Sequence, residues 1–298
     1  MQRPVVSPQR YRKLTMLALI FVSMIIVTGA SVRLSGSGLG CDDWPNCTAG
    51  ELIQVTNKNQ AIEQINRLFT GLISIGVIAA ILGSLLRIPK RNDLVALSIS
   101  LVAGVFIQAV IGGISVKLEL AWFSVMVHFL ASIVLVSAAL VLHRRAGEAP
   151  GPYVTIVETR TQWLARSVLA ISVAVLIAGT LVTAAGPHGG DEKATRLGWA
   201  IPSVARFHSA LVWLLMAVII ALFVELRRKR GPAEAVRCVE VLLLIGVVQG
   251  ALGYYQYFNG IPALAVGFHV AGAVAVFGTA QWLQLTLRQP TRSETMPA

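Results

Sequence analysis

The stretch Gln249–His269 reads Q-G-A-L-G-Y-Y-Q-Y-F-N-G-I-P-A-L-A-V-G-F-H, and the chain contains an earlier version of it. The earlier copy runs from Gln108 to His128, so the separation between glutamine and histidine is identical in both copies. Asn66 and His208 extend this register, because almost the same offset separates them, and each begins a long apolar run. The chain therefore reads as two similar halves that place polar side chains at matching positions.

Composition places the chain in a membrane. Of its 298 residues, 55% are hydrophobic and only 13% are charged, which leaves too little polar surface for a soluble domain. The 25 Lys and Arg residues exceed the 14 Asp and Glu residues, but they are scattered between apolar runs. We therefore interpret the basic excess as a signal of membrane topology and expect no nucleic-acid partner.

Eight segments are long enough to cross a bilayer, which takes about 20 helical residues. The turn signal Asn259-Gly260-Ile261-Pro262 divides a final apolar run that is too long for one helix. The predicted fold is an all-α integral membrane protein of eight transmembrane helices in two parallel-repeat four-helix bundles. The predicted spans are Leu14–Val32, Leu68–Leu86, Leu94–Val116, Leu120–Leu142, Ser167–Gly186, Phe207–Val224, Val241–Phe258 and Ala263–Leu287.

The positions of the basic residues predict the orientation. With the N-terminus inside, 18 of the 25 Lys and Arg residues fall in inner segments. Such an imbalance in short loops predicts a multi-pass protein of the cell membrane with both termini in the cytoplasm. Each half contains four spans, an even number, so the two halves have the same orientation in the membrane. We predict an N-terminal half at residues 1–146, a cytoplasmic linker at 147–166 that is rich in Gly and Pro, and a C-terminal half at 167–298.

Two cysteines lie in the loop that follows the first span, T-G-A-S-V-R-L-S-G-S-G-L-G-C-D-D-W-P-N-C, from Thr28 to Cys47. The predicted topology places Cys41 and Cys47 outside, where a disulfide can persist. The pair is either a structural disulfide or a redox-active one that accepts electrons from the reaction or undergoes disulfide exchange with a partner. Cys238, alone near the inner end of the seventh span, is predicted to be an inert apolar residue.

A polar cluster opens the second span. Glu63, Asn66 and Arg67 stand at positions i, i+3 and i+4, so a helix places them on one face. Ionisable groups at the end of a membrane helix are functional candidates, although anchoring at the interface is a serious alternative for Arg67. Glu63 is the stronger candidate because it shares its face with a residue of the repeated register.

The repeated histidines suggest iron ligands. A single buried histidine is more often a structural residue, but His128 and His269 occupy the same register, and His208 matches Asn66. All four positions fall in the outer part of the membrane. Neutral imidazoles on separate helices can approach a haem iron from opposite faces.

Other polar residues near these positions have simpler roles. Arg206, like Arg67 in the other half, is suitably charged to meet a haem propionate. Gln108 and Gln249 are predicted to make hydrogen bonds between helices. His188, flanked by Gly and Pro, is expected to be solvated, and His143 is expected to lie at the inner interface away from the site.

Taken together, these features resemble the haem A synthase family. The resemblance rests on the outer-loop sequence G-S-G-L-G-C-D-D-W-P-N-C, on the E-x-x-N-R motif from Glu63 to Arg67, and on the settings of His128, His208 and His269. It covers essentially the whole chain. It implies oxidation of a ring methyl of haem O to a formyl group, which gives haem A for terminal oxidases.

The resemblance also implies roles for individual residues. His208 and His269 would ligate a b-type haem in the C-terminal half, and His128 would ligate the iron of the substrate haem O in the N-terminal half. Glu63 would be the catalytic carboxylate. The commoner family pattern is E-x-x-H-R, whereas this chain has Asn66 at the histidine position. Because asparagine is a poor iron ligand, we expect His128 to be the one strong protein ligand of the substrate iron.

Partners and alternatives follow from the same reasoning. Haem O synthase is the expected substrate donor, and the bilayer surrounds the spans. The sequence does not identify the electron acceptor or decide whether the chain forms a homo-oligomer.

A b-type membrane cytochrome that exchanges electrons with quinone would use the same histidines and give Glu63 no chemical role. A transporter built from duplicated bundles would carry no stoichiometric haem.

Overall fold

The protein is described by a computed structural model at residues 5–41, 43–48 and 55–291. Arg3 and Arg292, which enter the count of inner basic residues, and Asp42 of the outer-loop motif lie outside these residues. Eight helices in this part of the chain are long and apolar enough to cross a membrane, which confirms the predicted number of spans. They are α1 Pro8–Leu34, α2 Lys58–Leu86, α3 Asn92–Lys117, α4 Trp122–Ala146, α5 Thr159–Ala185, α6 Ile201–Arg228, α7 Ala233–Phe258 and α8 Ala263–Thr286.

The helix boundaries repeat with the offset that separates His128 from His269 in the sequence. Helix α7 begins and ends at this offset from α3, and α8 begins at the same offset from α4. The α3–α4 turn has left-handed backbone at Glu119 and Leu120, and the α7–α8 turn has it at the equivalent residues, Gly260 and Ile261. The repeat seen in the sequence is therefore also a repeat of backbone conformation.

The helices extend beyond the uncharged runs that predicted them. Helix α5 begins at Thr159, so the last part of the predicted linker at 147–166 is helical, and Arg160 and Arg166 belong to the helix. Long basic side chains at a helix end can keep their charge in the polar interface while their stems cover apolar surface. The uncharged run therefore underestimates the length of the helix.

The eight helices form two closed rings of four. In the first half, α1 and α3 each pack against both α2 and α4, and in the second half α5 and α7 each pack against both α6 and α8. The two rings meet through contacts of α1 with α8, α4 with α8 and α4 with α5. Consequently α2 and α4 are diagonal in one ring, and α6 and α8 are diagonal in the other.

Each ring has a buried apolar interior. The first cluster contains Val22, Val77, Leu101 and Leu142 and extends across the interface, and the second lies within the second half. Large apolar side chains also point outward, as the surface of a membrane protein requires, because bilayer lipid is as apolar as they are. Examples are Phe106, Val134, Leu244 and Val247.

A short sheet was not predicted from the sequence. Strands β1 Tyr153–Thr155 and β2 Arg288–Pro290 pair antiparallel, and Val154 lies opposite Gln289. The pairing joins the segment between the halves to the end of α8. A three-residue strand carries too little alternation for a sequence pattern to reveal it.

Candidate functional site

Four residues of the repeated register lie near one end of the bundle. Asn66, His128, His208 and His269 all lie close to the N-termini of their helices α2, α4, α6 and α8, and these helices all start at the same end. We call it the disulfide end because the Cys41–Cys47 disulfide follows α1 there. The disulfide confirms the predicted pairing of the two cysteines.

His208 and His269 meet in the middle of the second ring. Their ring centres are 6.3 Å apart, and their planes are inclined by 68°. The backbones of α6 and α8 make no direct contact in the described part of the chain, so the two side chains reach each other across the diagonal. Two imidazoles that bind one metal from opposite sides through bonds of about 2 Å place their ring centres roughly 6 Å apart. The observed separation fits such a pair.

A backbone contact determines how His208 presents its ring. Its Nδ1 lies 3.1 Å from the carbonyl oxygen of Val175 on α5. Because a carbonyl can only accept, Nδ1 carries the proton, and Nε2 keeps a free lone pair for a metal. One turn further along α5, a Cβ at Gly179 would stand only 3.3 Å from Cε1 of His208. The glycine thus leaves room for the ring against α5.

Glycines also lie beside the other two histidines, at matching places. A Cβ at Gly253 would stand 3.6 Å from Cε1 of His269, and a Cβ at Gly112 would stand 3.4 Å from Cε1 of His128. Gly112 and Gly253 occupy equivalent positions of the repeat, so the two halves repeat the contact between glycine and imidazole in three dimensions. The repeat in the sequence aligns these two glycines, but only the structure shows their contact with the rings.

The first ring holds polar atoms that lack protein partners. The Oδ1 atom of Asn66 and the Nδ1 atom of His128 are buried without a hydrogen bond in the described part of the chain, as is Nδ1 of His269 in the second ring. A buried polar atom without a partner costs free energy unless a ligand, water or ion completes it. These atoms therefore fit positions that a polar ligand would occupy.

Gln108 connects α3 to α4 beside His128, as predicted. Its Nε2 donates to the hydroxyl of Ser132 at 2.7 Å and to the carbonyl of His128 at 3.2 Å. Gln249, its counterpart, packs against α8 so closely that a Cβ at Gly272 would overlap its amide. The prediction of a hydrogen bond between helices is confirmed for Gln108.

Glu63 and Arg67 bind the disulfide loop. The Oε2 atom of Glu63 accepts a hydrogen bond from the backbone N–H of Cys41 at 2.8 Å, and its Oε1 atom accepts from Arg67 at 2.5 Å. Arg67 also donates to the carbonyls of Asp43, Pro45 and Asn46 on the same loop. Glu63 is only 5% exposed, so its charge is held in place by this arginine.

Arg67 is therefore more than an interfacial anchor, because it connects the carboxylate to the loop. Arg206 has a different setting, since its exposed side chain donates to the carbonyl of Pro202 on its own helix.

His143 is buried far along α4 beside Thr15, away from the disulfide end, as expected. Cys238 is a buried free cysteine.

His188 does not match its prediction. It was expected to be solvated, but it is half-buried, and its Nε2 lies 2.7 Å from the carbonyl of Ile261 in the α7–α8 turn. The flanking Gly and Pro residues indicated a loop correctly. They could not indicate that the loop folds back over a distant turn of the same half.

The set of donors indicates which kind of metal group fits. No group of three or more His, Cys, Asp or Glu side chains that could hold a metal occurs among residues 5–41, 43–48 and 55–291. A metal bound by protein atoms alone would need such a group. A porphyrin supplies four nitrogens of its own and needs only axial ligands, which an imidazole pair provides. The residues present therefore fit a haem.

Comparisons with known proteins agree with this reading. The COX15-CtaA family, described as cytochrome oxidase assembly protein, matches residues 12–187. The chain is 23% identical to the heme A synthase of Staphylococcus haemolyticus over 303 aligned residues, which cover 94% of this chain and 96% of that protein. It is 29% identical to the heme A synthase of Listeria welshimeri over 131 residues and 27% identical to that of Lysinibacillus sphaericus over 126 residues. These two matches span less than half of each relative, 43% and 41% of their lengths.

Proposed function

The chain belongs to the COX15-CtaA family of cytochrome oxidase assembly proteins, and from this premise we propose that it is a haem A synthase. It would oxidise a methyl group of haem O to a formyl group and so supply haem A to terminal oxidases. The observation that carries the proposal is the pair of imidazoles, His208 and His269, with ring centres 6.3 Å apart at the centre of the second ring. Relatives that bear the name heme A synthase support it.

The C-terminal half, residues 167–298, would hold haem b. His208 and His269 would hold it through their imidazoles, and the Val175 carbonyl would keep the proton of His208 on Nδ1. Haem b, when bound, supplies transfer of single electrons. The apolar side chains of the ring would exclude water from it.

The N-terminal half, residues 1–146, would bind haem O as substrate. His128 would ligate the substrate iron, and Asn66 would lie at the diagonal position that His208 occupies in the other half. The segment between α4 and α5 would join the halves. Because Asn66 is a poor iron ligand, His128 would hold the substrate alone, which would ease release of the product.

Glu63 would be the catalytic carboxylate. With water as the source of the formyl oxygen, oxidation of a methyl group to a formyl group releases protons as well as electrons. A carboxylate near the methyl can accept those protons or stabilise a developing positive charge. The N–H of Cys41 and the guanidinium of Arg67 hold Glu63 in one orientation. Positioning of this kind matters because small errors in placement reduce the rate steeply.

The proposed setting is the cell membrane, with both termini in the cytoplasm and the disulfide end outside. The support is the distribution of basic residues, which favours the opposite end as the inner one. Haem O synthase would deliver the substrate, and a separate electron acceptor would receive the electrons. The Cys41–Cys47 disulfide would then lie beside the catalytic carboxylate on the oxidising side of the membrane.

Extraction of the pigments tests the proposal. The full chain is expressed in membranes that also contain haem O synthase, purified in detergent, and its haems B, O and A are separated. We expect haem B together with haem O and haem A. Glu63→Gln, which keeps the size of the side chain, should retain haem B and accumulate haem O without haem A. Haem B alone in the unaltered protein would identify a cytochrome, and haem A formed by Glu63→Gln would remove Glu63 from catalysis.

A further inference from the structure

Two arginines from different halves come together at the disulfide end. Arg33 is the second-last residue of α1, and Arg196 lies in the loop between α5 and α6. Two consecutive buried glycines lie against them. A Cβ at Gly189 would stand 2.8 Å from the guanidinium of Arg196, and a Cβ at Gly190 would stand 2.8 Å from the Cγ of Arg33. The missing side chains at this dipeptide leave room for both arginines.

The two positive charges act on each other, and neither is paired with an acidic side chain among the described residues. Arg33 lies within electrostatic range of Arg196, and neither forms an ion pair with any carboxylate in the described part of the chain. Arg196 donates to the carbonyls of Thr183 and Gly186, but its Nε is buried without a partner. Burial also lowers the pKa of Arg196 from its ordinary value. Two like charges with an unused buried donor fit a site for an anion.

Both arginines belong to segments that lie near the elements around His208 and His269. Leu34, next to Arg33, has its Cδ1 only 3.5 Å from where a Cβ would stand at Gly267, just before His269 in the chain. Arg196 donates to the carbonyl of Gly186, the residue that follows α5. Gly179, which lies against His208, precedes Gly186 by about two helical turns, roughly 10 Å. The arginines therefore lie beyond the imidazole pair, towards the disulfide end.

We propose that Arg33 and Arg196 bind the two propionate carboxylates of the porphyrin held by His208 and His269. The proposal rests on the proposed function, because it takes that porphyrin as the ligand. Both propionates lie on one edge of a porphyrin, so they match two guanidiniums on one side of the pocket. Guanidinium forks bind carboxylates through paired, charge-assisted hydrogen bonds. Arg33 belongs to α1, so the N-terminal half contributes to the cofactor site of the C-terminal half.

The test measures how long haem stays bound. The full chain is purified in detergent and loaded with haem B or with its dimethyl ester, in which the propionates carry no charge. Transfer to excess apomyoglobin is then followed by absorbance. In the unaltered protein the ester should leave at least about 10-fold faster, because charge-assisted hydrogen bonds are lost. Arg33→Gln and Arg196→Gln should each accelerate the loss of haem B roughly 10- to 100-fold and leave the ester unaffected.

Controls separate this proposal from its alternatives. Lys193→Gln removes an exposed charge from the same loop and should change nothing. Arg196→Lys keeps the positive charge but not the paired donors of a guanidinium, so haem loss should proceed at an intermediate rate. Such a graded effect would distinguish loss of the propionate contact from misfolding of the glutamine variant. Equal rates for haem B and its ester in the unaltered protein would overturn the proposal, as would acceleration by Arg206→Gln in place of the pair. The low-spin spectrum separately reports whether two imidazoles bind the iron. A wrong assignment of His208 and His269 would therefore be distinguished from a wrong assignment of the arginines.

Discussion

The imidazole rings of His208 and His269 have centres 6.3 Å apart, although α6 and α8, which carry them, are diagonal members of their ring. Diagonal placement directs both side chains into the centre of the ring, where a planar ligand can lie between them. Asn66 and His128 lie on α2 and α4, which are likewise diagonal in the first ring. At the register position shared by α2 and α6, the first half has Asn66 where the second has His208.

Removal of either histidine of the pair should abolish axial ligation in the C-terminal half. His208→Ala and His269→Ala should each lose the low-spin spectrum of haem b and most of the bound haem b, because one imidazole cannot complete the coordination. Haem content per protein and the absorbance of the reduced protein measure the effect. Ser209→Ala, at the next position along α6, is the matched control and should retain both. Full haem b in the histidine variants would contradict the assignment.

Asn66 should leave the substrate iron with one strong protein ligand. Electron paramagnetic resonance of haem bound in the N-terminal half is expected to lack the pure low-spin signal of two imidazoles, because an amide oxygen is a weak iron ligand. Asn66→His should introduce that signal and slow the release of haem A from the protein. A bis-imidazole signal from the unaltered N-terminal half would disprove this prediction.

Arg67 should protect the disulfide loop. Arg67→Ala removes its hydrogen bonds to Glu63 and to three loop carbonyls, and should lower stability by roughly 2–3 kcal/mol. The freed loop should let reductant reach the Cys41–Cys47 disulfide sooner. Labelling of thiols after exposure to graded reductant measures access. Lys58→Ala, an exposed change at the start of α2, should behave like the unaltered protein.

Gln108 should stabilise the contact between α3 and α4. Gln108→Ala removes its hydrogen bonds to Ser132 and to the His128 carbonyl, and should cost about 1 kcal/mol of stability, since such bonds between membrane helices are modest. Thermal unfolding in detergent measures the loss. Ser100→Ala, whose hydroxyl donates only within its own helix, is the control. A large loss of haem with unchanged stability would instead place Gln108 in direct contact with the ligand.

Much of the fold could be predicted because the signals are local or repeated. The run of apolar residues predicted eight spans, and Asn259-Gly260-Ile261-Pro262 predicted the break between α7 and α8. The spacing of Glu63 and Arg67 predicted a shared helix face, and their ion pair confirms it. The lengths of the helices were underestimated, because basic residues such as Arg160 remain helical at the ends.

The sequence by itself determined the duplicated architecture and the eight helices, because hydrophobic runs and repeated spacings are properties of a single chain. Tertiary structure alone decided that α6 and α8 are diagonal, that Arg67 holds the disulfide loop, and that Arg33 and Arg196 lie near each other. Each of these relationships involves segments far apart in sequence. They depend on how the helices pack, with glycines where the backbone must approach a ring or a guanidinium. No local sequence pattern indicates which helix will be the neighbour.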